Sequence, residues 1–595
     1  MASSTPWHVL GGDDEDVEGG DVGRALDGPS EPPKPSSRTR TVSFPPETYG
    51  EEQGLQQTEK GEEAHLLGHA EPSKTRRSRR QRREQAEAFR ARAKGTDALL
   101  CGLRPGRALL IGVPGVLLLL FLVNHFPSLS RPNRSQQVDA YAKGRQESPV
   151  ADGPWASVGT AFGTNEAYNE DEHDTRPAPY SNGTAKFRKT VIIVSLDGVR
   201  PDYLERSLTP NLVDISEKGL KAEYMKPVFP SLTFPNHWAL ATGLYAESHG
   251  IVANDFYDPS DDTEFVYTDS SKSWASKWWG GEPIWSTAVK AGIKTANLMW
   301  PGPPMMKDGT RPTYFHAFEN NYHWSKKLDV ITRWIDMPLR SRPQLIMAYL
   351  PEVDQEGHRT GPDSDKLQEK LTYVDDFAKA LHDSMKDRNL HDLVDIIFVS
   401  DHGMTDTNNE RLVLLDEVLG EQGHAAILHK EGWPSCGLRF NESLVDTDDM
   451  LKTLREAAKK SDGGFAVYTH QDMPERWHFS GNPRIAPIYV VPETGWVITD
   501  KNEFYVDMNG DYHPKGNHGY DPDDEPMHAI FVAHGPMAEH IKTKRRRTKR
   551  ADQALTVIEP FHNLEIYNLL ATLLQIEKTA PNNGTVGFWS THLDL

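Results

Sequence analysis

The sequence predicts an α/β sandwich built on a mostly parallel central sheet, and three observations carry that prediction. Residues 190–196 (TVIIVSL), 345–350 (LIMAYL) and 395–399 (DIIFV) are short apolar runs, the pattern of strands buried on both faces of a parallel sheet. Residues 365–385 place Leu367, Leu371, Val374, Phe377, Leu381 and Met385 at the spacing of one helix face. Strands that alternate with helices make a layered α/β domain. An acidic residue stands just past each apolar run: Asp197, Asp354 and Asp401. In open α/β sheets, ligands bind beyond the carboxyl ends of the strands.

The chain before this domain divides into three parts. Residues 1–107 start as a polar Gly/Ser/Pro-rich tail, which buries too little surface to offset its chain entropy and is read as disordered. The polar segment runs to about residue 73, and a basic run from Lys74 to Arg83 follows it within the tail. Residues 108–126 (ALLIGVPGVLLLLFLVNHF) hold no charged side chain and are close to the length a membrane helix needs. The basic flank places residues 1–107 in the cytoplasm and the remainder outside or in a secretory or vacuolar lumen, a type II single-span arrangement. In that setting the run at Lys74–Arg83 is a contact for anionic lipid head groups. The net charge of −20 argues against a stable nucleic-acid partner. Residues 127–186 read as a stalk, and 187–595 as the catalytic domain. Sequons at Asn133, Asn182, Asn441 and Asn583 all lie on the side the charge rule places in the lumen. Cys101 and Cys436 are the only cysteines, so no disulfide framework exists.

Within the domain, residues 209–219 combine a Thr at the N-cap, a Pro at the first position and a closing Gly, the signature of a short helix. The stretch FPSLTFPNH, residues 229–237, sets Thr233 in a short turn ahead of a helix-like run from Asn236 to Gly243. A hydroxyl there sits beside free backbone N–H groups and the positive end of a helix dipole, where phosphate binds well. The basic run from Lys542 to Arg550 breaks the pattern before a helix-like segment at 563–576. It reads as a solvated loop insertion, with a dibasic processing site or an anion-steering patch as the alternatives.

Histidines accompany the three acids. Asp354 and His358 are four apart, Asp401 and His402 are adjacent, and His518 lies in GNHGY. Three carboxylates at one sheet edge repel one another unless cations sit between them. Mixed Asp and His ligation suits zinc, and a pair of such ions suits in-line displacement at phosphorus. Each residue alone is weak: an Asp after a strand is more often a turn former, and this chain has 24 histidines. The strength is in the set. Asp521, Asp523 and Asp524 read as a solvated acidic loop rather than a calcium site.

The segments SLDGVRPDYL, PVFPSLTFPNHWALATGLYAESHGIVANDFYDP, EVDQEGH, SDHGM and GNHGYDP, in this order, resemble the nucleotide pyrophosphatase/phosphodiesterase family of the alkaline phosphatase superfamily. The resemblance covers roughly residues 187–595. It implies an alkaline-phosphatase-like sandwich and two zinc ions per chain. One ion would be held by Asp197, Thr233, Asp401 and His402, the other by Asp354, His358 and His518. It also implies that Thr233 is the nucleophile, forming a phosphothreonine. Asn254 matches the donor to a phosphoryl oxygen. Phe234 matches an aromatic stacked on a nucleobase, with Tyr314 as the opposite face. The implied activity is hydrolysis of nucleotide phosphodiester or pyrophosphate bonds to nucleoside monophosphates. The cysteine-rich modules and the nuclease-like domain of some animal members have no counterpart here. The alternatives are another phosphohydrolase of the superfamily, either a monoesterase or a lipid head-group phosphodiesterase, and a dead receptor, which would lack a ligand or the nucleophile.

Overall fold

A computed structural model describes residues 178–461, 463–548 and 555–593. The tail, the apolar segment 108–126, Asn133 and most of the stalk lie outside the described residues. Among the described residues, no helix is long and apolar enough to cross a membrane.

The central sheet has eight strands: β1 (Thr190–Leu196), β2 (Leu220–Ala222), β3 (Thr295–Leu298), β4 (Tyr314–His316), β5 (Leu345–Leu350), β6 (Val394–Val399), β7 (Phe531–His534) and β8 (Val557–Ile558). Their order across the sheet is β8-β2-β7-β6-β1-β5-β3-β4. Five of the seven pairings are parallel. The two antiparallel ones both involve β7. The sheet is therefore mixed, mostly parallel with one reversed strand. The three apolar runs become adjacent strands β6-β1-β5, which brings their carboxyl ends side by side.

Strand side chains alternate between two cores, as the two-residue strand period requires. Ile192, Val194 and Leu196 pack with helices α1 (Pro210–Lys218), α4 (Trp324–Ile335) and α6 (Asp365–Asp387). Val191 and Ile193 pack on the other face with α2 (Thr233–Thr242), α3 (Ile284–Lys290) and α8 (Glu565–Leu573). Helix α5 (Glu352–Thr360) leaves β5 directly, and α7 (Pro536–Thr548) follows β7. Between β6 and the His518 loop lies a separate four-stranded antiparallel sheet, in the order Ile427–Glu431, Cys436–Phe440, Ile488–Pro492, Phe465–Tyr468. It has its own core around Leu438, Leu454 and Val490. Cys436 is buried there.

Two local expectations need correction, the capping of α1 and the basic run. Thr209 stands at the N-cap of α1 as expected, but its hydroxyl donates to the Tyr203 carbonyl and not to the helix. The cap comes from Asp375 of α6, whose carboxylate accepts the N–H groups of Asn211 and Leu212. Gly219 is required by close approach: a Cβ there would stand 2.1 Å from the Ala533 carbonyl oxygen. The basic run is not a loop through residue 548, for it continues α7. Lys542 and Arg545 are buried, and their head groups donate to the carbonyls of Lys218 and Val557. Their long apolar stems let a cationic side chain line a core.

Asp395 is a second buried cap. Its carboxylate accepts the Met537 N–H at the start of α7, 2.7 Å away. Burial pushes its pKa up to about 6, against the pull of that hydrogen bond. The folded state thus holds this proton more tightly than the unfolded chain. The stabilising contribution is full below pH ~4 and is lost as pH rises to about 6. Asp395→Asn keeps the acceptor without the charge. Thermal unfolding across pH should find the variant roughly 2–3 kcal/mol more stable than the parent at pH 8, with the gap closing near pH 4.

Candidate active site

The carboxyl ends of β1, β5 and β6 deliver Asp197, Asp354 and Asp401 to one edge, and all three are buried. The chain turns beside Asp197 through Gly198, whose φ is +69° and whose missing Cβ leaves room for Asp354 at 3.1 Å. Helix α5 presents Asp354 and His358 on one face, since residues four apart are stacked along a helix. His518 arrives on a loop joined to the region after Asp401 by the pairing of Thr405–Asp406 with Gly516–Asn517. Thr233 is the first residue of α2, not part of a preceding turn, and Leu232 holds the N-cap.

The side chains converge. Thr233 Oγ1 lies 3.1 Å from His402 Nε2. That nitrogen is 3.0 Å from Asp401 and 3.4 Å from Asp197. His518 Nε2 is 3.2 Å from Asp354 and 3.1 Å from His358 Nε2. The rings of His402 and His518 stack at 3.5 Å, which joins the two halves. Two buried donor groups result: Asp197, Asp401 and His402, and Asp354, His402 and His518. His358 stands beside the second.

Two features fit this set to cations. The three imidazoles each place Nδ1 at 2.9 Å from a carbonyl, those of Gly516 (His358), Gly403 (His402) and Ser231 (His518). A carbonyl can only accept, so Nδ1 carries the proton and every Nε2 turns a lone pair inward. One oxygen of each carboxylate, Asp197 Oδ1, Asp354 Oδ1 and Asp401 Oδ2, is buried without a hydrogen-bond donor. Electrostatics agree. Burial, then the charges of Asp401 and Asp354, hold the Asp197 carboxyl well above the usual range. Burial also acts to raise Asp354 and Asp401, but the imidazoles outweigh it. His358 and His518 bring Asp354 down to about 2, and His402 and His237 hold Asp401 well below its ordinary value. Burial lowers His358, which keeps it neutral and able to ligate.

Supporting groups absent from the sequence reading complete the site. His237, one turn after Thr233, places Nδ1 2.9 Å from the Thr233 carbonyl and 3.2 Å from Asp401, and Nε2 2.9 Å from Ser195 Oγ. Its four-residue spacing from Thr233 was the available signal. The Tyr349 hydroxyl donates to Asp197. The Asn254 carbonyl oxygen accepts the Phe234 N–H at 3.0 Å, which orients its amide. The half-buried Phe234 ring rests on Tyr267, Phe265 and Trp279. Tyr314 is committed to the fold: its hydroxyl donates to the Ser341 carbonyl and its ring stacks on Trp334. Phe318, four residues on, is 46% exposed and lies 6.4 Å from the Tyr349 ring. Asp521 and Asp523 pair with Arg476, and Asp523 also with Lys226. Among the sequons, the Asn182 amide donates to the Arg388 carbonyl at 2.7 Å, whereas Asn441 and Asn583 sit in loops.

A helix-covered α/β sheet whose strand tips ring a hydroxyl with carboxylates and imidazoles defines a member of the alkaline phosphatase superfamily. Within it, the chain belongs to the type I phosphodiesterase / nucleotide pyrophosphatase family, whose model matches residues 191–521. A pyrophosphatase/phosphodiesterase of Schizosaccharomyces pombe is 39% identical over 410 residues, which are 68% of this chain and 81% of that one. Rat ectonucleotide pyrophosphatase/phosphodiesterase family member 3 is 35% identical over 67% of this chain, but this chain covers only 43% of that protein. Among solved structures, murine ectonucleotide pyrophosphatase / phosphodiesterase 5, inactive with a threonine-to-alanine substitution and in complex with AMP, is 30% identical. It covers 68% of this chain and 100% of its own, with a TM-score of 0.59.

The His518 loop packs on α5 through Gly516, where a Cβ would come within 2.4 Å of the Gly357 carbonyl oxygen. Gly516→Ala should displace His518 from Asp354. Expected outcomes are a loss of ~1–3 kcal/mol in thermal unfolding, as for other overpacked sites, and a marked fall in phosphodiester turnover.

Proposed function

We propose that this chain is a two-zinc hydrolase that cleaves phosphodiester and pyrophosphate bonds of nucleotides through a phosphothreonine at Thr233, releasing nucleoside monophosphates. The observation that carries the reading is the Thr233 hydroxyl, 3.1 Å from His402 Nε2 at the rim of two buried Asp/His donor groups. Asp197, Thr233, Asp401 and His402 would hold one zinc ion, and Asp354, His358 and His518 the other. Bound zinc would supply the positive charge that lowers a hydroxyl pKa and offsets charge on phosphoryl and leaving-group oxygens.

The chain's own groups do the rest. Thr233 Oγ1, its proton released to solvent, forms a bond to phosphorus while the bridging oxygen on the far side departs in line. Asn254, its carbonyl already held by the Phe234 N–H, keeps its NH2 to donate to a non-bridging oxygen. The Thr233 N–H, in the first turn of α2, is a second donor for that oxygen. Water then hydrolyses the phosphothreonine and returns a proton to Thr233. Phe234 offers one face to the nucleobase, and exposed Phe318, rather than Tyr314, the other. The murine neighbour's AMP and its inactivating threonine substitution support the nucleotide and the nucleophile. The catalytic domain would face the exterior or a secretory or vacuolar lumen, held by the single span at 108–126.

A nucleotide panel on the purified protein, with products identified by mass, tests the reading. AMP release that a chelator abolishes and zinc restores is expected. Thr233→Ala should lower turnover by at least about 10³-fold with an unchanged melting temperature. Release of inorganic phosphate alone would replace this reading with a monoesterase.

A further inference from the structure

The loop between the first two strands of the inserted four-stranded sheet, Gly432 to Ser435, reaches the site. This loop is tied to both walls of the site. The Gly432 N–H donates to the Asp255 carbonyl, next to Asn254, at 3.1 Å. The Ser435 hydroxyl donates to the Gly519 carbonyl, next to His518, at 3.4 Å. Gly519 has a φ of +107°, and a Cβ there would stand 2.9 Å from Pro434, so the two loops are in close contact. Trp433 is suspended between these ties. Its indole N–H donates to the Tyr512 hydroxyl at 3.1 Å, and its ring centre lies 6.2 Å from that of His358. The ring packs partly on Phe504, Met508 and Tyr512 and remains partly accessible.

Thr233 lies against the Asp197, Asp401 and His402 group, while His358 belongs with Asp354 and His518. In-line displacement sends the leaving group away from the nucleophile, toward the His358 side. We infer that Trp433 is a platform for the leaving group, selecting substrates whose departing half carries a second aromatic ring: dinucleotides bridged by pyrophosphate. This rests on the phosphothreonine reading above. An indole fixed at its N–H offers a stacking face to any planar base, and such stacking is insensitive to base identity. Phe234 and Phe318 flank the other half of the site, so the two bases of a dinucleotide would be held by different aromatics.

The test compares NAD+ with ADP-ribose, which differ in the departing half only by the nicotinamide ring. Both yield AMP, which is quantified on the zinc-loaded full-length protein. Trp433→Leu keeps an apolar side chain on the Tyr512 cluster, and Trp433→Phe keeps an aromatic face. The expected result is that Trp433→Leu lowers kcat/KM for NAD+ about tenfold more than for ADP-ribose, with Trp433→Phe retaining most of the preference. Equal losses on both substrates in both variants would show Trp433 to be structural and overturn the platform. So would an unchanged ratio. Failure of the parent protein to release AMP from either substrate would instead overturn the phosphothreonine reading, and the platform with it.

Discussion

Three carboxylates share a dry corner of this protein, and much of its architecture follows from keeping them there. Asp197, Asp354 and Asp401 come from three adjacent parallel strands, so the sheet itself forces them together. Burial and mutual repulsion raise Asp197, whereas neighbouring imidazoles hold Asp354 and Asp401 down. Such a corner is tolerable only with positive charge at its centre. The chain prepares for that charge by turning the Nε2 lone pairs of His358, His402 and His518 inward and anchoring each Nδ1 on a backbone carbonyl.

Thr233 is governed by the same corner. Thr233 begins α2, so its hydroxyl and its own backbone N–H lie at the helix's N-terminal end, where a phosphoryl group binds well. His237 then links the Thr233 carbonyl, Asp401 and Ser195 in one cluster. Thr233, Asp401 and the central strand cannot move independently. Supports of this kind set the precision of a site as much as its ligands do.

How much of this could be read beforehand depended on where each signal resides. β1 and β5 were legible to the residue, because a strand buried on both faces is an unbroken apolar run. The seven residues proposed as a metal site lie at strand tips or in compact motifs, and their side chains converge. The reversed strand β7 was not legible, since direction within a sheet leaves no trace in local composition. Nor was the cap of α1, which Asp375 supplies from 164 positions away. Tyr314 and Phe318 sit in the same short segment, and only tertiary packing shows that the first ring is occupied by Trp334 and the second is exposed. The basic run misled because charge density is a surface signal, whereas Lys542 and Arg545 reach carbonyls through apolar stems.

That last feature bears on how the molecule behaves in a crowd. Strand β8 closes one margin of the central sheet with two residues, and an open margin is a template on which a foreign strand can zip. The guanidinium of Arg545 occupies the Val557 carbonyl at that margin. Arg545, from a run that reads as an appendage, thus leaves that margin one exposed carbonyl fewer with which to recruit a neighbouring strand.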